Sequence, residues 1–355
     1  MPLPEARPDL ALREGYHSPQ VDVAVRLNTN ESPLPPPAGW FDAVSAELRD
    51  IAFNRYPDRD ARALRDALAD FHGVTADQVF CANGSNEVLQ SLCLAFGGPG
   101  RQVAVFEPTY ALHSHIAHLT STTVVEAQRR ADFSLDIDTV RDVLAETSPS
   151  ITFLCSPNNP TGMAEDRSSV EAVVSCAPGL VVVDEAYGQF SDWSALSMVS
   201  EDQPLVVTRT FSKTWSMAAA RLGYLIGPPE VVATLERVAL PYHLDAFKQA
   251  AGRLALEFAG EMEERVGLIV RERQRVSAAL NRFPVTTWPS QANFILFRPE
   301  RKKGADVWKG LLDRSVLVRD TSSWPGLAGC LRVTIGTPGE NDAFLAALKE
   351  VLDGP

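Results

Sequence analysis

The chain of 355 residues has no apolar run approaching the length of a membrane span. Its opening, MPLPEARPDLALREGY, lacks the cationic start and apolar stretch of a secretory leader. Cysteine is sparse: Cys81, Cys93, Cys155, Cys176 and Cys330 are scattered, odd in number and without a CxxC pair. Such a set reads as reduced thiols in a cytoplasmic protein rather than a disulfide framework. Positive charge is in deficit, with 33 Lys and Arg against 45 Asp and Glu for a net charge of −12. That balance argues against non-specific nucleic-acid binding, which depends on basic patches. Low complexity is confined to SPLPPP at 32–37, and no fixed-period repeat is visible.

What is present is an ordinary globular balance, 45% hydrophobic and 22% charged, in a chain long enough for about two domains. The Pro-rich stretch marks the end of an N-terminal arm that cannot be helical there. Helical patterns then alternate with short apolar runs. DARALRDALADFHG (60–73) and NGSNEVLQSLCLAF (83–96) have helical spacing. QVFCA (78–82), QVAVFE (102–107), ITFLC (151–155), LVVVDE (180–185) and LVVTRTF (205–211) read as strands. Nearly continuous apolar strands of this kind belong to a parallel sheet covered by helices on both faces. The alternation predicts an α/β fold whose large domain has a doubly wound, mostly parallel sheet. After Pro228-Pro229 long helical patterns run over 230–283, followed by NFILF (293–297), SVLVRD (315–320), CLRVTIG (330–336) and a closing helix. We therefore expect an arm over 1–35 packing with the small domain, a large domain over 36–235 and a smaller α+β domain over 236–355.

Ligands of open α/β sheets bind beyond the carboxyl ends of the strands, so the strand ends are the informative positions. Gly84 and Ser85 open a helix after the first strand, where free backbone N–H groups and a positive dipole end suit a phosphate. Tyr110 follows the second strand and Asn158-Asn159 the third. The fourth delivers Asp184 and then Tyr187, and the fifth delivers Ser212 and Lys213, with Arg221 beyond. Singly, these read as a helix cap, a rim aromatic, turn amides and a lysine snorkelling to solvent. Together they make one site, and its inventory suits pyridoxal phosphate. Lys213 supplies the amine for a Schiff base. An ordinary lysine, with a pKa of about 10.4, is protonated at neutral pH; burial and a nearby cation favour the neutral amine. Asp184 keeps the pyridine nitrogen protonated. Asn159 and Tyr187 face the ring oxygen, Tyr110 stacks on the ring, and Gly84, Ser85, Ser212 and Arg221 hold the phosphate.

SPNNPTG, VVDEAYGQF and TRTFSKTWSMAAARLGYLIG closely resemble motifs of the fold-type I aminotransferases of class I/II, in the right order and across nearly the whole chain. Within that class the chain most resembles the histidinol-phosphate aminotransferases. RLNTNESPLPPP, NRYPD, NGSNEV, EPTY, NFILF and VLVRDTSSWPGLAGCLRVTIGTPGEN carry that resemblance. It implies exchange of the amino group of L-histidinol phosphate with 2-oxoglutarate in histidine biosynthesis. It also implies that Thr210 and Asn86 belong to the cofactor site and that Asn159 meets substrate. Arg332 resembles the arginine that clamps a substrate carboxylate or phosphate, Arg319 a second phosphate-binding arginine, and Tyr16 an arm tyrosine near the same group. A planar guanidinium suits both anions. Tyr56 resembles the tyrosine that reaches the cofactor phosphate of a neighbouring subunit, which implies a homodimer. Asn86 stands where many relatives have aspartate, Ala218-Ala219-Ala220 replaces the usual Ala-Gly-Leu before the arginine, and Trp215 is an unusually bulky neighbour of the lysine.

Aromatic amino-acid transamination and threonine-phosphate decarboxylation remain as alternative activities on the same scaffold. A non-catalytic cofactor-binding protein is the reading outside enzymology, disfavoured because binding alone does not demand the lysine. His113, His115 and His118 do not share one helical face and have no acidic partner nearby in sequence, so the helix carrying them reads as partly solvated and no metal site is expected. Cys155 reads as a buried strand thiol, and the mixed charges of 255–275 as a solvated helical face.

Overall fold

The structure is a computed structural model that describes residue 5 and residues 20–354. Tyr16 lies outside the described residues. Seven strands form the larger sheet: β2 (Val79–Ala82), β3 (Gln102–Glu107), β4 (Thr123–Gln128), β5 (Ile151–Cys155), β6 (Leu180–Asp184), β7 (Leu205–Thr210) and β8 (Gly223–Ile226). Their order is β2-β8-β7-β6-β5-β3-β4. β4, β3, β5, β6 and β7 run parallel, while β8 is antiparallel to both β2 and β7.

The continuous apolar runs of the sequence have a direct structural meaning. Successive side chains of a strand point to opposite faces, and here both faces carry a core. Val103, Val105, Phe153, Val182 and Val206 pack on one side with Leu89 and Leu92 of the helix Ser85–Phe96. Ala104, Phe106, Leu154, Val181, Val183 and Val207 pack on the other with Val140, Leu144 and Val170. β4 went unread in the sequence because it is an edge strand of largely exposed residues, TVVEAQ, without a buried run.

The smaller sheet has the order β1-β11-β12-β10-β9. Here β1 is Val25–Leu27, β9 Val285–Thr287, β10 Phe294–Pro299, β11 Val316–Asp320 and β12 Leu331–Thr334. Its core joins Phe294, Phe297, Leu331 and Val333 to Val307 and Leu311 of Gly304–Leu312 and to Phe344 and Leu348 of Pro338–Asp353. β1 belongs to the N-terminal arm and pairs parallel with β11 over Val25–Leu27. The arm then crosses the mouth of the large sheet. Two helices of the 230–283 region pack differently from one another. Ala246–Leu256 lies in one core with Trp40, Leu64 and Leu68, and Trp40 Nε1 donates to the Ala251 carbonyl at 3.0 Å. Ala259–Leu280 spans both regions, with Met262 in that core and Ile269, Val276 and Leu280 under the small sheet. No helix among the described residues is long and apolar enough to cross a membrane.

Candidate active site

A cavity of about 390 Å³ lies beyond the carboxyl ends of the parallel strands. It is lined by Ser85, Asn86, Tyr110, Asn159, Asp184, Tyr187, Thr210, Ser212, Lys213, Arg221 and Arg332, all expected from the sequence. Its remaining walls include Thr29, Asn30 and Glu31 of the arm, which the sequence reading had not placed there.

The anion end is built by backbone shape. Gly84 has φ +83° and precedes the helix Ser85–Phe96; a Cβ there would stand 2.8 Å from Arg221 Nη2. A Cβ on Gly223 would lie 2.3 Å from the Ser85 amide nitrogen. Only glycine allows this close approach of two strand ends and a helix N-terminus. Arg221, itself left-handed at φ 51°, donates from Nη1 to Ser212 Oγ at 3.3 Å. The Ser212 amide donates to Thr210 Oγ1 at 3.1 Å. Hydroxyls, amides and a guanidinium thus converge where a phosphate gains charge-assisted hydrogen bonds. Trp215, two residues past the lysine, is a core residue: it is 4% exposed and stands 5.6 Å from the Phe211 ring and 5.8 Å from the Phe71 ring.

Lys213 Nζ donates to the Thr29 carbonyl at 3.0 Å. Burial, then the Arg332 and Arg221 charges, pull its pKa down to about 7, against an upward pull from Glu31. Glu31 is held by Thr29 Oγ1, which donates to Oε2 at 2.7 Å. An amine poised near neutrality is a usable nucleophile and proton carrier.

Asp184 is 1% exposed and accepts from the Ala186 amide at 3.1 Å. Its Oδ2 lies 3.1 Å from Nε2 of His113, which is fully buried and stacks on Phe153 at 4.7 Å. This corrects the reading of His113 as part of a solvated helix without an acidic partner. The partner is 71 residues away in sequence, at the end of β6, and no local pattern reveals it. Among the described residues no group of three metal-ligating side chains is present.

The two turn asparagines divide their labour. Asn158 holds the turn, donating from Nδ2 to the Pro108 carbonyl at 3.0 Å and to Thr161 Oγ1 at 2.9 Å. Asn159 faces the cavity, and its Oδ1 accepts from Arg332 Nη1. Arg332 also donates from Nη2 to the Asn28 carbonyl at 3.0 Å and lies 5.0 Å from the Phe294 ring centroid. Arg319 stands opposite Arg332 in the β11–β12 register, and opposed residues of an antiparallel pair share a face. Tyr110 donates to Asn86 Oδ1 at 3.2 Å. Tyr56 is not part of this cavity: it is 81% exposed and stacks on Tyr242 at 4.5 Å.

These residues fit pyridoxal phosphate. The test is steric as well as chemical, since Gly84 needs its left-handed φ of +83°, Gly223 has no room for a Cβ against the Ser85 backbone, and the near-neutral amine and the buried carboxylate line one cavity. The family described as aminotransferase class I and II matches over residues 22–348. The histidinol-phosphate aminotransferase of Rhodococcus jostii (strain RHA1) is 46% identical, over 97% of this chain and 92% of that protein. That of Frankia casuarinae is 48% identical, over 96% and 88%. The crystal structure of the histidinol-phosphate aminotransferase from Clostridium acetobutylicum superposes with a TM-score of 0.86 at 23% identity, covering 93% of this chain and 99% of that one. That likeness shows the fold, a fold-type I α/β transferase. The chain belongs to the class I and II aminotransferases, which are pyridoxal-phosphate-dependent enzymes. Within the class, histidinol-phosphate aminotransferases are among the relatives similar along nearly its whole length.

When bound, the cofactor supplies an aldehyde for an amine and a ring that takes up electrons. The protein's part is position and protons. Lys213 is the group whose proton affinity is set near neutrality. Asp184, braced by His113, offers a buried carboxylate opposite the cation-lined end. Arg332 and Asn159 form one hydrogen-bonded unit on the cavity wall, which would hold an anion drawn to Arg332 in a fixed position relative to Asn159.

Proposed function

We propose that the chain transfers the amino group of L-histidinol phosphate to 2-oxoglutarate, giving imidazole acetol phosphate and L-glutamate in histidine biosynthesis. The observation that carries the substrate assignment is the opposition of Arg319 and Arg332 on adjacent strands. A monoanionic carboxylate needs one guanidinium, whereas a phosphate dianion is matched by two. The names of the relatives favour the same substrate. In this reading Lys213 is the catalytic residue. Gly84, Ser85, Asn86, Tyr110, Asn159, Asp184, Tyr187, Thr210, Ser212 and Arg221 hold the cofactor, and Arg332, Arg319, Asn159 and Tyr16 hold substrate.

The decisive test compares kcat/KM for histidinol phosphate, phenylalanine and threonine phosphate, and repeats it in Arg319→Ala. Loss of about 2–4 kcal/mol of transition-state binding is expected for histidinol phosphate alone, the cost of removing a charge-assisted contact to its phosphate. Equal loss with phenylalanine overturns the assignment of Arg319, and release of carbon dioxide from threonine phosphate overturns the reaction class.

The reading extends to a cytoplasmic homodimer. Tyr56, Phe53 and Leu240 are 81%, 73% and 75% exposed, and exposed large apolar groups mark interaction surfaces. A second copy of the chain is the partner proposed, with Tyr56 reaching its cofactor phosphate. We divide the chain into the arm over 1–35, a large cofactor-binding domain over 36–235 and a small domain over 236–355, noting that Ala246–Leu256 packs with the large domain's core.

A further inference from the structure

Asn30 sits where the arm, the end of β6 and the small sheet meet. It is 1% exposed and left-handed, at φ 56°. Its amide nitrogen donates to Thr334 Oγ1 at 3.0 Å, and Asn293 Nδ2 donates to its carbonyl at 3.1 Å. Its side chain bridges Thr334 Oγ1, at 3.0 Å from Oδ1, and the Tyr187 hydroxyl, at 2.9 Å from Nδ2.

The direction of this chain of bonds follows from proton counting. The Thr334 hydroxyl is buried and already accepts from the Asn30 backbone, so its own proton needs an acceptor. Among the described residues that acceptor is Asn30 Oδ1. The amide is thereby fixed with its NH2 toward Tyr187, and the Tyr187 oxygen accepts. A phenol that accepts one hydrogen bond is polarised to donate its own proton more strongly. Tyr187 lines the cavity.

We propose that Asn30 is a positioning residue for transamination: it sets the direction of the Tyr187 hydrogen bond so that the phenol donates into the cavity, toward the cofactor's ring oxygen. Through Thr334 the same residue ties that donor to the small sheet. The inference rests on the cavity holding pyridoxal phosphate. The charged groups facing the phenol belong to other elements: Lys213, 5.8 Å from its ring centroid, Arg221, Arg332 of β12, Asp184 of β6 and Glu31 of the arm. None of them is altered by the substitutions below.

The experiment is a visible-absorbance pH titration of the holoenzyme, reading the protonation midpoint of the Lys213 nitrogen with cofactor bound. A donor at the ring oxygen favours the deprotonated state, so weakening it raises the midpoint. Asn30→Gly, which tolerates the left-handed backbone, is expected to raise it by roughly half to one pH unit, the scale of one hydrogen bond. Asn30→Asp is expected to raise it further, because a carboxylate only accepts and draws the phenol proton away from the cavity. In a Tyr187→Phe background the glycine shift should vanish and the aspartate shift should shrink to the Coulomb effect of the added carboxylate. A residue that merely filled space would give the opposite ranking, with the isosteric aspartate indistinguishable from wild type. That ranking, or an unchanged or lowered midpoint, overturns the proposal. Should the glycine variant not fold, Thr334→Val removes the hydroxyl that orients the amide and must raise the midpoint as well. A wild-type protein that shows no visible band with pyridoxal phosphate overturns the cofactor reading, a failure seen before any variant is made.

Discussion

At the scale of single residues, the proposed chemistry depends on one amine being kept from its proton. Burial and the Arg332 and Arg221 charges bring Lys213 down to about 7 from the ordinary 10.5. The unfolded chain therefore binds the extra proton between those two values, and by linkage stability rises with pH across that window. Below about 7 both states are protonated and the full cost of a buried ammonium is present. In cofactor-free protein, the urea midpoint of Lys213→Met should exceed that of wild type at neutral pH, and the gap should close as the pH approaches 10.5. A gap independent of pH shows that the amine is not depressed. The same variant should be catalytically dead while folded, separating the chemical role of Lys213 from its structural cost. His113 makes the complementary point about legibility. The strand-end groups were readable because each stands beside its own motif, whereas His113, on a helix, belongs to the site only through a carboxylate at the end of β6.

At the scale of elements, the site is held by ties between strand ends. Arg209 of β7 donates from Nη2 to Glu185 Oε2 at 2.8 Å and to Ser194 Oγ at 2.7 Å, just behind Asp184. Both partners of the ion pair are buried, at 9% and 3% side-chain exposure. Removing one partner of such a pair leaves an uncompensated charge and costs about 3–5 kcal/mol. Arg209→Ala should therefore lower the stability measured by urea unfolding by that amount. Replacing both, as Arg209→Met with Glu185→Gln, should recover much of it; a double variant as unstable as the single shows that the pair itself is stabilising. Element type was legible wherever burial on both sides left an uninterrupted apolar run, as in β5, β6 and β7. It was not legible for β4, whose outer positions face solvent, nor for β1, three residues long, whose strand character comes from pairing with β11. The placement of Ala246–Leu256 was hidden for a related reason. Its alanines and Gly252 fit against Leu222 and Leu64, a complementarity that belongs to the partners and not to the helix's own periodicity.

At the scale of the whole molecule, the cavity is completed by segments far apart in the chain. Arm residues 29–31 form part of its wall, β12 supplies Arg332, and the carboxyl ends of β5, β6 and β7 with the segments that follow β2, β3, β5, β6 and β7 supply the rest. Tyr56 breaks the pattern, since it is proposed for the phosphate end yet lies exposed against Tyr242 outside its own chain's cavity. A residue can serve a site and be absent from it only if the site belongs to another copy. In the proposed homodimer, closed two-fold symmetry would give two composite sites, each with Lys213 from one subunit and Tyr56 from the other. Subunit mixing tests this directly. Tyr56→Ala and Lys213→Ala enzymes should each be impaired or dead alone. After unfolding and refolding together, half of the dimers are mixed, and each mixed dimer has one site with both residues intact. Activity should return to about a quarter of wild type by this two-fold counting. If Tyr56 served its own chain, every mixed site would lack one of the two groups and mixing would restore nothing. Recovery thus requires that the exposed tyrosine of one subunit complete the cavity of the next.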